Sequence, residues 1–265
     1  FETGHVISFA HTSFKWANLA SHNAGVTVAI VAISNHSGAT RQLFSIADDG
    51  EVMVKEAANI NAYLVDGPKV VVQKLSKPLG GVAEMSFGNK PVDGGHLLLT
   101  TDEVNGLGLN EDQRDRFIRR IYGSAEFIRG LERFCLWIED KHLSEAMQIE
   151  PIRKRIDSVR AMRLASSKAA TVETADSPSR FGELRQTGKE TVMIVPSVSS
   201  ESRDNLPCGY AEPRTIVTNL AFALYDAPLW NMALIASRLH LVWIGTVCGK
   251  MKSDFRYSNT LGWNT

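Results

Sequence analysis

Residues 8–34 read SFAHTSFKWANLASHNAGVTVAIVAIS, and this stretch decides the fold. Val6–Phe14 alternates well enough to predict a strand. Val26–Ile33 is an unbroken run of β-branched residues and alanine, the pattern of a strand covered on both faces. Between them Lys15–Gly25 is a polar loop carrying Trp16, Asn18, His22 and Asn23. Two strands joined by a polar loop with an aromatic in it make a place to hold something flat.

The wording of that loop resembles the last strands of the methyltransferase core in adenine-N6 DNA methyltransferases, specifically the type IIL (MmeI-like) restriction–modification enzymes and their methyltransferase relatives. In that family the aromatic loop helps hold the target adenine once it has left the duplex. The resemblance implies this role for Phe14 and Trp16, with Asn18 beside them.

At 265 residues the chain is long enough to bury a proper core. Its formal charge is zero, which argues against a purely electrostatic nucleic-acid binder but leaves room for a local basic face. Cys135, Cys208 and Cys248 form no paired motif and no zinc spacing, and their odd number argues against a disulfide framework. A reducing bacterial cytoplasm is the expected location. No apolar run approaches the ~20 residues of a membrane span. The chain opens at Phe1, just before a strand, and is expected to be a piece of a longer protein.

Beyond Ser34 come short strand-like pieces at Arg41–Ile46 and Glu51–Lys55, with a domain boundary placed at 45/46. Asn59–Val65 and Lys69–Gln73 are predicted strands. The Gly/Pro-rich Leu79–Gly95 is either a connector or a DNA-contacting loop. The family phrases NINAYL-DGP and FGNKPVDGG, which lead from methyltransferase core into recognition domain, stand at Asn59–Pro68 and Phe87–Gly95. Asn110 is placed to cap a helix over Glu111–Tyr122, with Arg114, Arg116, Arg119 and Arg120 on its solvated faces. Glu132–Glu139 is read as a strand.

Leu143–Ser167 is the longest predicted helix, interrupted or restarted at Pro151, with Ile149, Ile152, Ile156 and Val159 as its apolar stripe. Its other faces carry Arg153, Lys154, Arg155, Arg160 and Arg163, followed by Lys168. This is either a solvated surface or a helix that tracks phosphates. Ala169–Lys189 reads as a loop. Thr191–Val195 is a predicted strand, and after it Ser197, Ser199, Ser200 and Arg203 offer donors suited to phosphate oxygens. The family's Ser-Ser-Glu-x-Arg recurs there, with Asn205 where a Tyr is usual. Further strands are expected at Thr215–Thr218 and Ala221–Tyr225. A helix is expected from Pro228 to about Leu241, with Leu229, Met232, Ile235, Ala236 and Leu239 inward and Trp230 and Trp243 in the core.

Met251–Tyr257 alternates like a half-exposed strand. Lys252, Asp254 and Arg256 then share one face, while Phe255 and Tyr257 turn to a core. Lysine can donate to O6 and N7 of guanine and aspartate can accept from N4 of cytosine, so the face suits one G·C pair. The plain alternative is an exposed strand with a cross-face ion pair. In the type IIL enzymes the two residues flanking the Ser of this strand vary together with the base read. Lys252 and Asp254 occupy those places, and Gly249, Ser253, Arg256, Tyr257, Ser258, Asn259, Thr260 and Leu261 fit the constant frame.

No Pro-Pro dipeptide, Gly-rich cofactor loop or nuclease pattern is present. The chain is therefore expected to be catalytically silent and to bind no cofactor, with S-adenosylmethionine used by the parent enzyme. The resemblance implies an α+β fold with mixed and antiparallel sheets and flanking helices. Residues 1–45 would be the C-terminal strands of a methyltransferase core, and 46–265 a target recognition domain. The expected partners are double-stranded DNA and the rest of the parent chain, with no membrane. The competing class is a protein-interaction or small-ligand α+β module.

Overall fold

A computed structural model describes residues 3–16, 26–36, 40–47, 49–251 and 253–265. In chain order the strands and helices begin with β1 (Val6–Trp16), β2 (Val26–Ser34), β3 (Arg41–Ile46), β4 (Val52–Ala57), β5 (Ser86–Phe87) and β6 (Leu98–Leu99). Then come α1 (Thr101–Gly106), α2 (Glu111–Phe117), β7 (Ile118–Tyr122), α3 (Ser124–Arg129), β8 (Phe134–Leu136), α4 (Leu143–Gln148), α5 (Glu150–Leu164) and α6 (Ala169–Val172). The last part holds β9 (Val192–Pro196), β10 (Val198–Ser199), β11 (Gly209–Tyr210), β12 (Ile216–Val217), β13 (Ala221–Tyr225), α7 (Trp230–Ile235), α8 (Arg238–Val247), β14 (Lys250–Met251) and β15 (Asp254–Arg256).

The described strands form four sheets, ordered β2-β1-β3-β4, β12-β7-β8-β6, β11-β9-β13-β5 and β10-β15-β14. This is the expected α+β class: most pairings are antiparallel, with β1–β3 and β12–β7 parallel.

The third sheet shows how alternation builds a core. Met193 and Val195 of β9, with Phe222 and Leu224 of β13, face Ile235, Leu241 and Ile244 of α7 and α8. The intervening Val192, Ile194, Ala221 and Ala223 face the other side. Side chains alternate with period two, so a strand buried on both faces must be apolar throughout. The second sheet packs its own core, with Leu97, Phe117, Ile121 and Leu136 against Ile152, Ile156 and Val159 of α5. That stripe is the one read from sequence. Pro151 falls in the first turn of α5, where its missing N–H costs nothing, and the predicted long helix is two.

The first sheet behaves differently. Val26, Ile30, Val31 and Ile33 of β2 are 43–67 % exposed, and Val52, Met53 and Val54 of β4 are 53–59 % exposed. The apolar run of β2 predicted cover on both faces, and among the described residues that cover is missing. Its pattern calls for layers that these residues do not supply.

Other expectations also need correction. The helix from Glu111 stops at Phe117 although Asn110 and Gln113 make the capping box. Ile118 turns extended because β7 gains pairing with both β8 and β12. Arg119, read as solvated, is buried and donates to the Asp115 and Ile118 carbonyls. Asn59–Val65 and Lys69–Gln73 are not strands. The first is a turn in which Asn61 Oδ1 accepts from Tyr63 N at 2.9 Å, and the Asn59 side chain donates to the Gly67 carbonyl at 2.5 Å.

Ala169–Lys189 holds α6 and a 3-10 turn at Glu173–Asp176. The helix expected after Pro228 breaks at Ser237, whose hydroxyl caps α8 by accepting from His240 N. Leu229, Leu239 and Trp230, expected inward or in the core, are 65 %, 80 % and 47 % exposed. The break restarts the helical phase, so one stripe no longer continues through both helices.

The Leu79–Gly95 segment is anchored by a buried amide. Asn89 donates to the Gln186 side chain and the Val217 carbonyl, both at 2.9 Å, and accepts from Arg185 N. At Gly88 an added Cβ would lie 2.4 Å from the Val217 carbonyl oxygen, so the close approach of the two backbones requires glycine.

Candidate nucleic-acid interface

Met251–Tyr257 is not one strand. β14 and β15 pair antiparallel with Met251 opposite Asp254 and Lys250 opposite Phe255, making a hairpin. Lys252 lies outside the described residues, so its face relative to Asp254 is not defined. Asp254 and Arg256, two apart on β15, do share a face. Asp254 is half-buried and Arg256 exposed, and neither side chain has an ion-pair or hydrogen-bond partner among the described residues. Asp254 and Arg256 form no ion pair with each other.

The other face of β15 is anchored as expected. Phe255 packs toward α8, where a Cβ on Gly245 would stand 3.1 Å from its ring, and Lys250 Nζ lies 5.6 Å from the ring centre. Tyr257 is 5 % exposed and its hydroxyl lies 2.9 Å from His240 Nε2. Burial pushes His240 down to about 4 and lifts the Tyr257 phenol well above its ordinary range. At neutral pH the contact is between an uncharged imidazole and an uncharged phenol. Sequence reasoning missed His240, because a single histidine in an apolar helix carries no local signal.

β15 also pairs with β10, placing Val198 opposite Arg256 and Ser199 opposite Phe255. Here the predicted phosphate donors divide. Ser199 is 3 % exposed with its hydroxyl unpartnered in the interior, so it cannot reach a phosphate. The Ser197 hydroxyl is already donated to the Leu220 carbonyl at 3.0 Å. Ser200 remains half-buried beside Ser202 at 3.0 Å, and Arg203 is exposed.

Glu201 in the same loop lies 3.9 Å from Lys15 Nζ, which brings the end of β1 alongside. Trp16 there is 50 % exposed, Phe14 is half-buried, and their rings are 6.2 Å apart. Asn18 and the rest of the 17–25 loop lie outside the described residues. A cleft of about 700 Å³ opens between this sheet and α8, lined by Ser13, Val28, Tyr63, Gly245 and Lys250 among others.

The basic helix α5 stands apart from the hairpin, on the core of the second sheet. Arg153 and Arg160 are exposed seven residues apart, hence on one side of the helix. Lys154 is exposed and paired with Glu150 at 2.7 Å. Arg155 is engaged by Glu103 and the His96 carbonyl. Arg163, expected to hold a phosphate, cannot do so, because it is 0 % exposed. Its guanidinium donates to the carbonyls of Pro91, Val92, Thr174, Ser177 and Arg180 at 2.7–3.1 Å. Burial lowers its pKa, opposed by Asp93 nearby.

What remains is the outward face of the central strand β15, with a carboxylate and a guanidinium unpaired among the described residues, an exposed indole across a cleft, and separate exposed cations. Such an arrangement can address base edges, a flat ring and phosphates.

Comparison with known proteins places the chain in a family. The family model described as MmeI, target recognition domain, matches residues 66–265. The model described as MmeI, DNA-methyltransferase domain, matches residues 1–45. DNA methyltransferase A of Bacillus subtilis (strain 168) is 35 % identical over 266 residues, covering 100 % of this chain and 30 % of that protein. A solved structure of the type IIL restriction–modification enzyme MmeI in complex with DNA superposes with a TM-score of 0.87 at 32 % identity. It covers 99 % of this chain and 35 % of that one. The chain thus spans about a third of the length of both relatives.

Proposed function

Because this chain belongs to the MmeI target recognition domain family, we propose that it reads a specific double-stranded DNA sequence on behalf of an adenine-N6 DNA methyltransferase in the bacterial cytoplasm. The observation that carries this is β15, whose Asp254 and Arg256 project from a well-anchored strand without protein partners among the described residues. Asp254 accepts from a cytosine amino group and Lys252 donates to the paired guanine, while Arg256 addresses a neighbouring base edge. Arg153, Lys154, Arg160, Ser200 and Arg203 hold phosphates and set the register. Phe14 and Trp16, with Asn18, help grip the flipped adenine.

The division between residues 1–45 and 46–265 assigns β4 to the recognition part, although β4 pairs with β3. The uncovered aliphatic faces of β2 and β4 support a further partner, the rest of the parent methyltransferase core, which would supply the missing layers. No described helix is long and apolar enough to cross a membrane.

The parent transfers a methyl group from S-adenosylmethionine, but the residues here do not fit that cofactor. β2 presents only aliphatic side chains and the hydroxyls of Thr27 and Ser34, and no carboxylate for a ribose. Recognition is therefore the part proposed for residues 66–265, while residues 1–45 lend the methyltransferase domain an aromatic grip on the flipped adenine.

A gel-shift with duplex DNA at two salt concentrations tests this function against a protein- or ligand-binding module. Affinity should fall steeply with salt, as phosphate neutralisation requires, and a cognate duplex should outcompete a scrambled one. Absence of DNA binding at low salt would overturn it.

A further inference from the structure

Three separate segments meet at Ser197. Its amide donates to Ser124 Oγ at 2.9 Å, and its hydroxyl donates to the Leu220 carbonyl at 3.0 Å. Its own carbonyl accepts from Tyr257 N at 2.9 Å. Ser124, the first residue of α3, donates its hydroxyl to the same Leu220 carbonyl at 2.5 Å.

The hydrogen-bond accounting closes. Each serine hydroxyl has one proton, and both are spent on Leu220 oxygen, which has two lone pairs. The two hydroxyl oxygens, 3.3 Å apart, then need nothing from each other. Ser124 uses its remaining capacity to accept from the Ser197 amide. One saturated knot thus joins the start of α3, the β12–β13 turn and the β9–β10 junction, and through Tyr257 N it reaches β15.

The knot matters because β15 is weakly held by its own ladder. β14 and β10 contribute two paired residues each. Such short ribbons are marginal without further support. Discriminating one base from another requires the side chain held within about half an ångström. Arg256 immediately precedes the tied Tyr257 and lies opposite Val198, which immediately follows Ser197. The rung next to the Arg256–Val198 pair, Tyr257 N to the Ser197 carbonyl, is therefore pinned through Ser197 to Ser124 and Leu220 outside the ribbon.

We propose that Ser124 and Ser197 are positioning residues for base recognition. Their hydroxyls hold β15 at a set height over the β12–β13 turn, so that Arg256 meets its base edge in register. This rests on the base-reading role given to β15 above.

The test uses the full-length methyltransferase and maps methylated sites genome-wide for wild type, Ser124→Ala, Ser197→Ala and Ser124→Thr, each shown folded by circular dichroism. Loss of either hydroxyl should raise the ratio of near-cognate to cognate methylation about tenfold, only at the base addressed by Arg256. Ser124→Thr, which keeps a hydroxyl, should restore wild-type discrimination. A wild type with no site preference overturns both this proposal and the base-reading role. A selective wild type with unchanged selectivity in the alanine variants overturns this proposal alone. So does an equal loss of discrimination at every base, which would mark a merely structural role.

Discussion

His240 Nε2 and the Tyr257 hydroxyl lie 2.9 Å apart in the interior, one residue beyond the exposed Arg256. The pair ties the strand that faces outward to the helix that faces the core. Tyr257→Phe leaves the imidazole nitrogen buried and unpaired, which costs about 1–3 kcal/mol. Chemical denaturation of wild type and variant measures it, and equal stabilities would show the pairing to be unimportant.

The same histidine makes stability depend on pH. Burial depresses its folded pKa to about 4 from an ordinary 6.5. Between those values the unfolded chain binds more protons, so stability rises with pH across the window and is lost as pH falls from 6.5 toward 4. The contribution is about 3 kcal/mol at most. Unfolding free energies at several pH values should show this slope in wild type and a shallower one in His240→Gln.

Arg163 and Arg160 sit on one helix and should respond in opposite ways. Arg163→Met strands carbonyls from five residues and should destabilise the protein by roughly 3 kcal/mol or more. The salt dependence of DNA binding, measured on folded protein, should not change.

Replacing Arg153 or Arg160 with Glu should leave the melting temperature nearly unchanged and weaken DNA binding evenly across sequences. For each phosphate left without its cation, the slope of log affinity against log salt should shrink by about 0.9. Anisotropy titrations at three salt concentrations measure this. A changed sequence preference would mean that these arginines touch bases.

Exchanging Lys252 and Asp254 for Glu and Arg in the full-length enzyme should alter one base pair of the methylated site, since donor and acceptor are reversed. Sequencing of methylated DNA reads the outcome. An unaltered site removes these residues from base recognition.

Particular residues show how much was legible beforehand. Ile152, Ile156 and Val159 announced the inner face of α5, because helical spacing alone puts them together. Asn110 announced where α2 begins. Phe255 and Tyr257 announced which side of β15 is covered. The same spacing puts Arg163, four residues after Val159, on that inner face and Arg160 off it, but it does not show what would satisfy a buried guanidinium, and nothing local distinguished Ser199 from Ser200. The fate of Arg163 depends on Pro91 and Val92, some seventy residues away, closing over it.

By itself, then, the order of amino acids determined the fold class, the strands with period-two burial and the stretches shared with a known family. These follow from local geometry, in which neighbouring side chains alternate or recur by fixed angles. Tertiary structure alone decided what satisfies the buried guanidinium of Arg163, where Met251–Tyr257 folds back, and that Ser124, Ser197 and Tyr257 meet. Those outcomes depend on desolvation and on hydrogen bonds between distant segments. A polar group acquires its role only once the chain has determined what surrounds it.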